Sequence, residues 1–181
     1  EIIPCTNFSP VMMPGHAWQA APSAIYLKTN YCFSAEYQYI RALVTIHNIE
    51  YQGIYSMDIL SDLFDIYGTY AGLVEYNNCI NLMKGAIECC ERFSTVSPTY
   101  AEEIKNPYFS HGLDPIARRN EFKLSGILNG IDDIGYNPKY GKHIFAPYSS
   151  EDFTVKKHCK SHLQRILYFN NNPYTPNIAM F

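Results

Sequence analysis

Apolar and polar positions fall into short runs along the chain. Ile40-Arg41-Ala42-Leu43-Val44-Thr45-Ile46 is β-rich and ends in His47-Asn48, the pattern of a buried strand followed by a polar turn. Between Glu75 and Glu91, apolar Cys79, Ile80, Met83, Ala86, Ile87 and Cys90 recur at three- and four-residue spacing, which predicts a helix with one apolar face. Residues 92–96 read as a second strand. Ser97-Pro98 then supplies an N-cap and a proline for the first position of a helix running to about Lys105. A polar helical stretch from Asp114 to Phe122 leads into a third strand, 124–128, that stops at Asn129-Gly130. Residues 136–147 read as a connector. Ser149-Ser150-Glu151-Asp152 offers a capped, acidic helix start with Lys156, Lys157 and Lys160 on later turns, and 177–181 reads as the beginning of a strand.

Strand, helix, strand, helix, strand is the order of an α/β fold. Parallel neighbours need a crossover connection, so the alternation predicts a Rossmann-like parallel sheet with helices on both faces. Open parallel sheets bind ligands beyond the carboxyl ends of their strands. Here those ends carry His47-Asn48, Ser97-Pro98-Thr99 and Asn129-Gly130, all expected on one rim. Ser97 reads first as a helix cap. For His47 and Asn129 the pattern leaves strand termination and ligand contact both open.

Composition narrows the partners. Hydrophobic residues make up 47% and charged residues 17%, which argues against disorder. No apolar run approaches the ~20 residues that span a bilayer. A formal charge of −3 with scattered basic residues gives no nucleic-acid surface, so a small molecule or a neutral polymer fits better. Cys5, Cys32, Cys79, Cys89, Cys90 and Cys159 contain no C-x-x-C pair and are expected to be reduced and mostly buried. Residues 1–10 have no signal-peptide pattern, which makes the cytoplasm the default location, or the plastid for a plant or algal source.

Other constellations carry less. His158 and His162 lie one helical turn apart, but a third ligand and an H-E-x-x-H glutamate are lacking, so a solvated helix face is expected. Adjacent Cys89 and Cys90 point about 100° apart on a helix and bridge poorly. Glu102-Glu103 and Asp132-Asp133 diverge likewise and read as surface and turn residues.

Four longer blocks change the reading. Thr45-Ile46-His47-Asn48-Ile49-Glu50-Tyr51-Gln52-Gly53 resembles the T-x-H-N-x-x-Y-Q-G segment of bacterial-type glycogen synthases and starch synthases. Asn81-Leu82-Met83-Lys84-Gly85-Ala86, the run from Thr95 to Ile104, and Lys123 to Asp132 followed by Tyr136-Asn137-Pro138 resemble that family in order and spacing. The resemblance covers about residues 8–166. It implies a GT-B glycosyltransferase, in which two Rossmann-like domains face across a cleft. Such an enzyme transfers glucose from ADP-glucose or UDP-glucose to the non-reducing end of an α-1,4-glucan, with retention and with no required metal or cofactor. By the same resemblance His47 and Asn129 are the catalytic candidates beside the donor glucose, and His16, Trp18, Asn48, Tyr51, Gln52 and Gly130 are substrate-binding candidates.

The resemblance also breaks in places. His16 and Trp18 match the family's H-D-W turn, but its active-site aspartate is replaced by Ala17, and Pro14-Gly15 alter the approach to it. The family's K-x-G-G-L loop and most of its second domain have no counterpart, and a first residue of Glu1 fits an excerpt of a longer chain. Residues 1–147 are expected to form the later part of the amino-terminal catalytic domain, and 148–181 an interdomain helix and the first strand of a truncated second domain. The alternative is a catalytically inactive remnant, or a glucan-binding or interaction module of the same fold.

Overall fold

The run read as the first strand folds as one over Arg41–Ile46, with Ala42, Val44 and Ile46 buried and Arg41 exposed. This is the two-residue alternation of a pleated strand. The structure, a computed structural model, describes residues 9–180; Cys5 and Phe181 lie outside them. In chain order the elements are β1 (Met12–His16), α1 (Ala21–Lys28), β2 (Arg41–Ile46), β3 (Ile54–Ser56), α2 (Leu60–Phe64), α3 (Ala71–Val74) and β4 (Glu75–Tyr76). They continue as β5 (Cys79–Asn81), α4 (Leu82–Cys89), β6 (Arg92–Thr95), α5 (Pro98–Glu103), α6 (Asp114–Arg119), β7 (Leu124–Gly126) and α7 (Thr154–Ile166).

The main sheet runs β1-β2-β6-β7 with every neighbouring pair parallel. Register places Ile46 beside Thr95 and Thr95 beside Gly126, so β2, β6 and β7 end on one edge. The expected α/β parallel sheet is therefore the fold. β1 went unrecognised in the sequence because Pro14 breaks its pattern. It is tolerated because β1 lies at the edge of the described sheet, where a missing N–H costs no ladder bond.

The helix expected from Glu75 is shorter than its periodicity suggested. Asn77 and Asn78 both take left-handed φ values, 54° and 61°, and turn β4 into antiparallel β5. Asparagine tolerates that region better than most residues, and paired left-handed positions make the tight turn that matches strand twist. The helix begins only at Leu82, after Asn81 caps it through a 2.9 Å bond from Lys84 N to Oδ1. Its inner face adds Met83, Ala86 and Ile87 to a core with Ile25, Val44, Ile46, Ile80, Phe93, Ile104 and Leu113. Each large apolar side chain buried there contributes roughly 1.5–3 kcal/mol.

Cys89 and Cys90 are buried in this core, whereas Cys32, Cys79 and Cys159 are only part-buried, so burial is less general than expected. Burial pushes the Cys89 thiol up to about 12 and the Cys90 thiol up to about 11.

Packing divides the chain between Asn129 and Gly130 into two units. In the second, Asp152 Oδ1 accepts bonds from the Thr154 amide at 2.9 Å and its hydroxyl at 2.6 Å, starting α7 a few residues later than the acidic run suggested. Gln164, buried on α7, donates to Asn172 O at 3.2 Å and Asn177 Oδ1 at 3.1 Å, and Lys160 Nζ donates to Pro173 O at 2.7 Å. These bonds draw the tail back along α7. Residues 177–180, read as a nascent strand, form none, because a strand needs a neighbour and none pairs with them among the described residues. No helix of the described residues is long and apolar enough to cross a membrane.

Two outcomes check this packing. A methyl at Gly126 would clash with Ser97 O and Pro98 Cα, both backbone atoms. Gly126→Ala should therefore lower unfolding stability by about 2 kcal/mol in urea, whereas the exposed Ser125→Ala should stay within about 0.5 kcal/mol. Because raised thiol values keep Cys89 and Cys90 protonated at pH 8, both should label with a disulfide reagent far more slowly than Cys32, Cys79 and Cys159 in the native state, and at equal rates in urea.

Candidate active site

Two strands deliver two histidines to the same place. His16 is the last residue of β1 and His47 follows the last residue of β2, and Nδ1 of His16 lies 3.0 Å from Nε2 of His47. The rings are tilted with centroids 5.2 Å apart. One facing nitrogen must carry a proton and the other a lone pair, so the two rings cannot both be doubly protonated while the bond lasts. Each ring keeps one other nitrogen for a ligand.

The loop after His47 is fastened to the helix behind it. The amides of Leu82 and Met83, which have no partner inside α4, donate to Gly53 O at 3.1 Å and Gln52 O at 2.9 Å. Gln52 is buried; its Oε1 accepts from Asn81 Nδ2 at 2.6 Å and its Nε2 donates to His111 O at 3.0 Å. Both ends of its amide are hydrogen-bonded within the fold, so this residue, a substrate-binding candidate by resemblance, also supports the loop from behind. The Ile49 amide donates to the Tyr100 hydroxyl at 2.9 Å, and burial pushes that phenol above its ordinary range. Asn48 Oδ1 accepts from the Glu50 amide at 2.9 Å, closing a local turn. Tyr51 stands exposed at the loop surface.

Trp18 closes the other side. A methyl at Gly53 would meet its ring at 2.5 Å, and Gly53 also has a φ of 65°, so the position requires glycine twice over. The Trp18 ring meets Tyr55 edge-on, with centroids 6.2 Å apart. Ala17, between His16 and Trp18, has φ 56° and ψ −171°, a combination that residues other than glycine rarely adopt. Its amide donates to Thr45 O at 2.9 Å, tying the strained residue to β2.

Asn129 lies three residues beyond the end of β7, exposed on the edge where β2 also ends. Ser97 caps α5 by accepting from the Tyr100 amide at 2.9 Å, as read from the sequence. Gly130 is exposed and belongs to the second unit. His162, on α7, stacks on Phe145 with centroids 4.1 Å apart. Two supports escaped the sequence reading: Tyr100, a distant phenol holding the Ile49 amide, and Asn81, whose capping signal was hidden inside an apparent helix.

The strain at Ala17 is measurable. Ala17→Gly should raise unfolding stability by about 1 kcal/mol, as a higher urea midpoint at unchanged slope, because glycine adopts this backbone conformation without penalty.

The chain matches the family described as the starch synthase catalytic domain over residues 2–119. It is 39% identical to glycogen synthase of Alkaliphilus metalliredigens, covering 99% of this chain and 38% of that protein. It is 40% identical to glycogen synthase of Streptococcus uberis, covering 96% of this chain and 37% of that protein. It thus spans well under half the length of these curated relatives. In structure it is similar to the catalytic domain of starch synthase IV from Arabidopsis thaliana bound to ADP and acarbose, with a TM-score of 0.76 and 29% identity over 92% of this chain and 34% of that one. With sequence and sheet in agreement along nearly its whole length, this chain belongs to the starch synthase catalytic domain family.

Proposed function

We propose that the chain is part of a retaining glucosyltransferase that moves glucose from a nucleotide diphosphate, ADP-glucose or UDP-glucose, to the non-reducing end of an α-1,4-glucan in glycogen or starch synthesis. Residues 1–147 belong to its amino-terminal catalytic domain and 148–181 to the connection with a second domain. The observation that carries this reading is the bonded His16–His47 pair on a rim whose loop is fixed by α4, in a chain of this family. His47 and Asn129 act as the catalytic residues by orienting the donor glucose and meeting the charge that develops as its bond to the diphosphate breaks. Neutral donors aimed in advance at such charge need no reorganisation during the reaction. His16, Trp18, Asn48, Tyr51 and Gly130 line the substrate, and Gln52 holds their loop in place. The protein works in the cytoplasm, or in the plastid for a plant or algal source.

The second reading rests on Ala17. Where the family carries a carboxylate, this chain has a methyl group, which supports a catalytically silent member that keeps the fold or a glucan-binding role.

Both readings are tested in a chimaera in which these residues replace the matching segment of the Alkaliphilus metalliredigens glycogen synthase, assayed with radiolabelled ADP-glucose and glycogen primer. The 181-residue chain by itself should incorporate no label above background. The chimaera should incorporate label, His47→Ala should reduce this at least tenfold, and Ala17→Asp should raise it by about ten- to a hundredfold, the worth of one charged hydrogen bond made in the transition state. A folded chimaera without activity, even with aspartate at position 17, selects the silent reading.

A further inference from the structure

The second unit contains a hollow of about 490 Å³, within the range of roughly 300–1,000 Å³ usual for small-molecule sites. Tyr136, Tyr148 and Phe153 supply its apolar surface, and Tyr136 is 86% exposed. Asp133 and Glu151 also line it, and neither carboxylate has a hydrogen-bond or ion-pair partner among the described residues. The third carboxylate, Asp132, is already engaged by the amides of Ile134 at 3.1 Å and Gly135 at 2.7 Å.

Tyr148 and Phe153, whose centroids lie 6.3 Å apart, also line a second hollow of about 640 Å³. Lys156 belongs to that second hollow alone, with its ammonium 5.4 Å from the Tyr148 ring centroid and 5.9 Å from that of Phe153. The cation is thus held on the far side of the shared wall.

Three kinds of ligand could use aromatic rings. A nucleotide would stack, but its phosphates would meet three carboxylates against the single ammonium of Lys139. An apolar peptide or lipid would leave the free carboxylates of Asp133 and Glu151 desolvated without partners. A neutral sugar chain satisfies both surfaces, since its C–H faces lie on the rings and its hydroxyls donate to the carboxylates.

We propose that this hollow is a binding site for a short stretch of neutral α-glucan, with Tyr136 and Tyr148 as stacking platforms and Asp133 and Glu151 as hydroxyl acceptors. The choice of α-glucan rests on the proposed function; the hollow and its preference for a neutral sugar rest on the second unit's own residues.

The test is calorimetric titration of the 181-residue chain with maltoheptaose and, separately, with ADP. Saturable maltoheptaose binding should weaken about tenfold or more in Tyr148→Ala and in Tyr136→Ala, the loss of one stacked ring each. Glu151→Gln should weaken it severalfold, and Tyr148→Phe, which keeps the ring, should leave it within about twofold. Tyr168→Ala, an exposed aromatic outside the hollow, should bind as the unchanged chain does. Absence of maltoheptaose binding, binding indifferent to Tyr136 and Tyr148, or ADP binding that depends on Tyr148 would each overturn the proposal. The chimaera assay separates the two ideas: an active chimaera with wild-type glucan affinity in Tyr148→Ala removes the site and spares the function, and an inactive chimaera with Tyr148-dependent affinity does the reverse.

Discussion

The arrangement of the rim depends on the unsatisfied amides at the start of α4. Leu82, Met83 and Lys84 are all buried, so their N–H groups cannot turn to water, and each left unpaired would cost about 1–3 kcal/mol. The chain meets this demand with the carbonyls of Gly53 and Gln52 and the side chain of Asn81. The loop from His47 to Gly53 is therefore held by the helix before any ligand arrives. Gln52 adds a second tie by bridging Asn81 and His111, residues 29 and 59 positions further along the chain. A rim built this way presents His47 from a scaffold and not from a free loop.

The sheet was legible in the sequence because its strands are short apolar runs closed by polar residues. β2 and β6 could be placed to within a residue, and β7 at its start, and their common edge followed from the alternation of strands with helices. What was hidden depended on conformations or distant partners that periodicity does not report. The apparent helix from Glu75 contained a hairpin, because Cys79 and Ile80 satisfy a helical stripe as well as a strand, and only the Asn77-Asn78 pair told them apart. β1 was masked by a proline that only an edge strand tolerates. The tail at 177–180 has the composition of a strand but spends its polar contacts on α7.

Of the candidate site, the sequence brought His47 and Asn129 to one edge by topology, whereas His16, Trp18 and Gln52 came through resemblance. The structure joins His16 to His47 and sets Trp18 against Gly53, contacts between residues some thirty positions apart that no local pattern could announce. Gln52 has a part in the fold that its motif does not announce. A polar residue beside a site can be indispensable to the site's shape while both ends of its amide face inward.

Ala17 separates the geometry of the corner from its chemistry. Its φ of 56° with ψ −171° would be natural for glycine, yet the backbone keeps it with a methyl side chain. The residue is held from two directions: its amide is fixed to Thr45 on β2, and the next residue, Trp18, is wedged against Gly53 on the loop that α4 anchors. Strain of about 1–3 kcal/mol persists only when the surroundings determine it this firmly. β1 keeps parallel register with β2 through His16, opposite Thr45, so the strand leads into the turn without a break. With the backbone fixed on both sides, an aspartate introduced at position 17 would start from the Cα position and direction that the alanine holds now.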